Sequence, residues 1–173
     1  LPQEFFDPLC HAAYWHDVGK LDERFQLVLR QGNEIANGVG EPLAKSAFVP
    51  TSPARREAIR EAAGLPKGFR HEFLSFQLVE RHAGLSANEH AADLVLHLVA
   101  SRHGHARPFA PVVPDPDLPA VSGRHDGIVI ALDAVDRKRF VEPHSIGSGI
   151  SDRFWRLTRR YGWWGLAYLE AGL

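Results

Sequence analysis

The chain has 173 residues, of which 45% are hydrophobic and 24% charged, with a net charge of −1. That is enough to bury a core without staples, so one domain spanning 1–173 is expected. The balance excludes a protein whose whole surface clings to nucleic acid, although a local basic track needs only a few well-placed Lys and Arg. No apolar run approaches the roughly 18–20 residues of a membrane span, and no signal-peptide pattern opens the chain. Cys10 has no partner within the chain. Intrachain disulfides are therefore excluded, and a reducing, cytoplasmic setting is expected. The unusual count is ten histidines, the commonest metal-ligand residue.

Asp7-Pro8 has the form of a helix start, and the helix it opens is expected to stop at Gly19. Asp22 caps a second helix closed by Gly32. The stretch from Gly32 to Pro50 reads as loop, and Ser52-Pro53 opens a polar helix ending near Gly64. After the turn at Leu65–Gly68, a helix is predicted from about Arg70 to Ala83. Ser86 and Glu89 have capping-box spacing and introduce an amphipathic helix with Ala91, Leu94, Val95, Leu98 and Val99 on one face, breaking at Gly104. Residues 107–119 hold five prolines and form an extended loop. Gly127–Leu132 fits either a short strand or a helical turn, and Ser151-Asp152 starts a last, aromatic-rich helix. The expected class is all-α, a helical bundle with a long Pro-rich loop and at most a short strand pair.

Three segments carry chemistry. In His16-Asp17-Val18-Gly19-Lys20, an imidazole and a carboxylate follow an apolar helix and suit a divalent transition metal. Lys20 shares their face if the last turn persists. A bare His-Asp pair is a weak signal, and the second one, His125-Asp126, sits in a Gly-flanked turn and reads as solvated loop. Phe69-Arg70-His71-Glu72 opens a helix from which His71 either leans inward as a ligand or stays on the surface. In Arg102-His103-Gly104-His105-Ala106-Arg107, His103 ends a helix, and Arg102, His105 and Arg107 offer phosphate or second-metal contacts. The bland alternative is a helix C-terminus decorated with cations. His97 reads as a satisfied core-edge residue, and the aromatic run Tyr161–Tyr168 as core.

These segments, with Asp22-Glu23-Arg24-Phe25-Gln26, Leu43-Ala44-Lys45-Ser46 and the closing Tyr161–Ala171 run, resemble in order the HD nuclease domain of CRISPR-associated type I helicase–nucleases, within the HD phosphohydrolase superfamily. The resemblance implies a helical bundle holding one or two divalent ions (Mn, Ni, Co, Fe or Mg). It implies cleavage of single-stranded DNA delivered by a helicase domain of the same or a partner chain, working with a CRISPR effector complex. It makes His16, Asp17, His71 and His103 metal ligands and Asp17 and Lys20 catalytic, with Arg102, His105 and Arg107 as further contacts. Family members usually have His-His where this chain has Arg102-His103, leaving His105 as the nearest substitute. The family also uses a histidine well before the His-Asp pair and an aspartate after the last helix. The chain is therefore expected to be a fragment cut near both ends of the site. The rival readings are an HD phosphohydrolase acting on nucleotides and a non-catalytic module that binds DNA or a helicase.

Overall fold

Local capping chemistry sets most helix starts, and the computed structural model, which describes residues 2–46, 52–82, 84–85 and 87–173, shows where it was overridden. Helix α1 spans Gln3–Trp15, starting before Asp7, so Pro8 lies inside it rather than at its opening. Pro8 lacks an N–H for the Glu4 carbonyl, so the second turn of α1 goes without one of its i→i−4 hydrogen bonds. The helix ends at Trp15, with a 3₁₀ turn over Val18–Leu21 where helix was expected as far as Gly19. Asp22 caps α2 (Glu23–Leu29), accepting from the Arg24 amide. Helix α3 (Glu34–Val39), capped by Asn33, occupies part of the expected loop; residues 47–50 of that loop lie outside the described set. Ser52 caps α4 (Pro53–Ala62).

Helix α5 spans His71–His82, and α6 spans Glu89–Ser101 with Asn88 as its cap. Ala83 and Ser86, the expected helix end and capping-box residue, lie outside the described residues. Strands β1 (Val121–His125) and β2 (Ile128–Leu132) pair antiparallel. Helix α7 covers Ala134–Arg139 and α8 covers Ile150–Ala171. Of the described residues 58% are helical and 6% in strands, so they are mostly helical, with one short two-stranded sheet among them. Among the described residues no helix is long and apolar enough to cross a membrane.

The chain divides into two compact units. The first comprises Leu1–Gly19, Glu72–Val112 and Phe140–Leu173, and the division falls after the first residue of α5. Its centre is α6, which packs against both α1 and α8. Every residue from Asp93 to Ser101 is buried, so α6 is enclosed on all sides rather than amphipathic at its end. Two of its three buried polar residues, Asp93 and His97, are satisfied from α8, while the Ser101 hydroxyl has no hydrogen-bond partner among the described residues. Asp93 accepts from Arg153 at 3.1 Å and from Arg156 at 2.8 Å, and His97 Nε2 lies 2.6 Å from Glu170 Oε1. His97 is thus a partnered core histidine.

The second unit comprises Lys20–His71 and Val113–Arg139. Its hairpin turns on Asp126-Gly127, both at positive φ (47° and 80°), the primed turn that matches strand twist. Val121, Ile130 and Leu132 form its buried face. A Cβ on Gly123 would come within 2.8 Å of Leu21 Cδ2, so a larger residue there would make the Leu21 side chain move. The Pro-rich segment is held by Arg24. Its guanidinium reaches both oxygens of Asp22 (3.1 and 3.0 Å), both oxygens of Asp115 (2.9 and 2.8 Å) and the Asp117 carbonyl (2.7 Å). Arg137 adds a second contact to Asp22 at 3.0 Å.

Burial pushes the Asp22 carboxyl up, but the hydrogen bonds and charges of Arg24 and Arg137 outweigh it and hold the group below its ordinary value. A carboxyl lowered on folding contributes stability above its unfolded pKa of about 3.9 and loses it as pH falls. Replacing Asp22 by Ala should cost about 3–5 kcal/mol in urea unfolding, because two buried guanidiniums lose a carboxylate. The unmodified chain should lose stability progressively below about pH 4, and the variant should show a flatter acid limb.

Candidate metal centre

The His-Asp pair sits where α1 runs out. His16 caps the helix, its amide still bonded to the Ala12 carbonyl at 2.9 Å, so its ring emerges beside the last turn. His16 Nδ1 donates to the Ala13 carbonyl at 2.7 Å. A carbonyl only accepts, so Nδ1 carries a proton and Nε2 is the ring nitrogen beside Asp17. This is how metal-binding histidines are commonly oriented from behind. Nε2 lies 3.5 Å from Asp17 Oδ1, and both side chains are about one-third exposed or less, 26% and 32%. Two ligand atoms of one tetrahedral ion are about 3.4 Å apart at ordinary metal–ligand lengths. A ring nitrogen and a carboxylate oxygen at that spacing are close enough to ligate one metal ion.

The turn that follows is fastened to α5 by one side chain. Ser75, fully buried, accepts from the Gly19 amide at 2.8 Å and donates to the His16 carbonyl at 2.7 Å. Ser75 lies three and four residues after Glu72 and His71, on the same side of the helix. The hydroxyl that fixes the His-Asp turn therefore sits one turn below the residues that open α5.

At that opening, ligand atoms of His71, Glu72 and His103 lie within 4.8 Å of one another. Two imidazoles and a carboxylate form a donor set suited to a divalent transition ion. Glu72 is buried, His71 half-buried and His103 exposed. The His71 ring also leans on Phe25, with centroids 5.3 Å apart. Among the described residues no group of three takes in His16 or Asp17. The four ligands expected from sequence are thus gathered as a pair, His16–Asp17, and a trio to which Glu72 contributes.

Two of the cations expected around the site, Lys20 and Arg107, have partners inside the fold. Lys20 Nζ donates to the Ala44 carbonyl at 3.0 Å. Its own carbonyl accepts from Gln26 Nε2 at 2.7 Å, and the same amide clasps Leu43 through its carbonyl (3.0 Å) and its N–H (2.8 Å). Arg107 pairs with Glu170 Oε2 at 3.0 Å, joining the contact that His97 makes to the other oxygen. Helix α6 ends at Ser101, so Arg102 and His103 are exposed in the turn beyond it and His105 is half-buried.

Sequence reasoning passed over Glu72, Ser75 and Glu170. A signal was present for two of them: a carboxylate inside an otherwise apolar helical run, as in Glu72-Phe73-Leu74 and Leu169-Glu170, must have a buried partner. Ser75 carried no such signal, because serine is neutral in charge and common on helices.

No family model, curated protein or solved structure matches the chain.

Replacing Ser75 by Ala should remove both bonds to the turn and leave the Gly19 amide and His16 carbonyl to find new partners. A loss of about 1–3 kcal/mol is expected on denaturant unfolding. Hydrogen exchange at the Gly19 amide should accelerate beyond what the global loss explains.

Proposed function

We propose that the chain is an HD-type, metal-dependent phosphohydrolase with an HD-like helical bundle. Its reaction is cleavage of single-stranded DNA, as the nuclease part of a CRISPR-associated helicase–nuclease in the cytoplasm. The observation that carries this reading is the His16–Asp17 pair. Its imidazole is fixed from behind by the Ala13 carbonyl, leaving Nε2 beside the Asp17 carboxylate at 3.5 Å. The His71–Glu72–His103 trio adds a second set of donors.

One or two divalent ions, from manganese, nickel, cobalt, iron and magnesium, would be held by His16 and Asp17 and by His71, Glu72 and His103. The chemistry such ions supply is activation of water and neutralisation of charge on a phosphate. Asp17 orients through its carboxylate, kept in place because the Ser75 hydroxyl grips the backbone on either side of it. Lys20 exchanges the neutral Ala44 carbonyl for a charged non-bridging phosphate oxygen, a stronger acceptor for an ammonium. Arg102 and His105 add contacts to the strand, and Arg107 does so to the extent that it leaves Glu170. The helicase domain and a CRISPR effector complex are the proposed partners.

A second reading, a module that binds without cutting, draws on Arg107 and Lys20 being engaged within the fold rather than held ready for a phosphate.

Metal content by mass spectrometry and digestion of labelled single-stranded DNA with each of the five ions decide between them. Asp17→Ala and His71→Ala should each cut at least about 100-fold more slowly, since even outer-shell partners of metal ligands cost 10–100-fold. Glu72→Gln should weaken metal retention by about 10-fold or more. An Asp17→Ala protein that cuts as fast as its parent would overturn the nuclease reading.

A further inference from the structure

The last two turns of α8 expose aromatic rings. Trp163, Trp164 and Tyr168 are 62%, 89% and 66% exposed, where a core-facing run was expected. The backbone explains why. Gly162 is non-helical at φ 70° and ψ 168°, so the segment after it takes a new phase. In that phase Leu166 and Leu169 fill the buried side, at 2% and 4% exposure. The rings are therefore surplus to the core.

Beside them lies a groove of about 200 Å³ lined by Pro2, Phe5, Tyr161, Gly165, Tyr168 and Leu169. Gly165 keeps its floor low, since a Cβ there would sit 3.4 Å from the Tyr161 Cβ. At the rim the Arg160 guanidinium stands 5.6 Å over the Tyr161 ring, and Arg159 precedes it. Both arginines are exposed, and neither has a carboxylate partner among the described residues.

An exposed apolar groove with one uncompensated arginine at its rim, and a second exposed arginine next to it in sequence, has a specific complement. A wholly apolar partner would strip water from those guanidiniums and return nothing. A single-stranded nucleic acid offers flat rings for stacking and phosphates for the arginines. We propose that this face binds single-stranded nucleic acid, with a base stacked on Tyr168 or Trp164 at the groove and the flanking phosphates on Arg159 and Arg160. The proposal takes its ligand class from the nuclease reading and names where the strand is held, and holding does not require cutting.

The test is anisotropy of fluorescein-labelled oligothymidylate with the full chain in chelator, so that nothing is cleaved. A strand of equal length with abasic sites serves as the comparison. Trp164→Ala with Tyr168→Ala should weaken binding about 10- to 100-fold, at the scale of stacking losses. The abasic strand should bind less tightly than oligothymidylate, and this difference should vanish in the double variant. Arg159→Ala with Arg160→Ala should lower the salt dependence of binding. Both pairs are on the surface, and melting temperatures near the parent's would confirm folding. Equal affinity of parent and aromatic variant for oligothymidylate would overturn the proposal, as would no binding by the parent or equal binding of the abasic strand. So would loss of self-association or helicase binding in the variant with DNA affinity intact. The two ideas fail separately: stacking-dependent binding without cleavage under any metal sinks only the nuclease reading, and cleavage with unaltered binding in the variant sinks only this one.

Discussion

A single hydroxyl organises the neighbourhood of the His-Asp motif. Ser75 uses its lone pair for the Gly19 amide and its proton for the His16 carbonyl, so the chain on both sides of Asp17 is tied to one point on α5. Without that tie, a helix ending at Trp15 would leave the pair on an unsupported turn, and side chains on such turns wander. The same helix carries His71 and Glu72 one turn earlier. Position along α5 therefore sets both halves of the proposed centre, and α6 contributes the remaining imidazole from just beyond its end.

The two units solve the problem of internal polarity in different ways. In the first, α6 is enclosed on every side, and its Asp93 and His97 are each met by residues of α8. In the second, beside the apolar face of the hairpin, the buried polar groups form a linked set, with Arg24 forking to two carboxylates and Arg137 closing on one of them. Buried ion pairs add little net stability, yet removing one member is costly. Their effect here is geometric. A proline-rich segment with few backbone donors cannot pair with a sheet, and Arg24 supplies the bonds that the segment cannot make for itself.

Much of the helical layout was legible because it rests on short-range chemistry. Asp22 and Ser52 cap the helices they were expected to cap, and Asp126-Gly127 turns a hairpin as its composition implies. What escaped notice depends on contacts far along the chain. Strand β1 is largely polar, Val-Ser-Gly-Arg-His, and becomes a strand only because Ile128–Leu132 lies beside it. Helix α1 begins before Asp7 with Pro8 inside it, and it packs on α6, a contact that local capping signals do not reveal. The aromatic run near the C-terminus reads as core by composition, and only the turn at Gly162 decides which residues face inward. At the site, His71 and His103 could be picked out as unusual residues at helix ends. Glu72 left only its place in an apolar helical run as a signal, and Ser75 left none, since its importance lies in what it faces.

Gln26 has its whole hydrogen-bonding capacity committed. Its two N–H groups go to the Lys20 and Leu43 carbonyls, and its oxygen receives the Leu43 amide and Arg30 at 2.6 Å. A glutamate of the same shape would set a negative oxygen against two carbonyl oxygens, and a shorter asparagine would not span the gap. Position 26 is consequently closed to substitution, whereas Lys20 and Leu43, gripped through backbone atoms, can exchange their side chains without loosening it; of its partners only Arg30, which bonds through its side chain, is tied to it in identity.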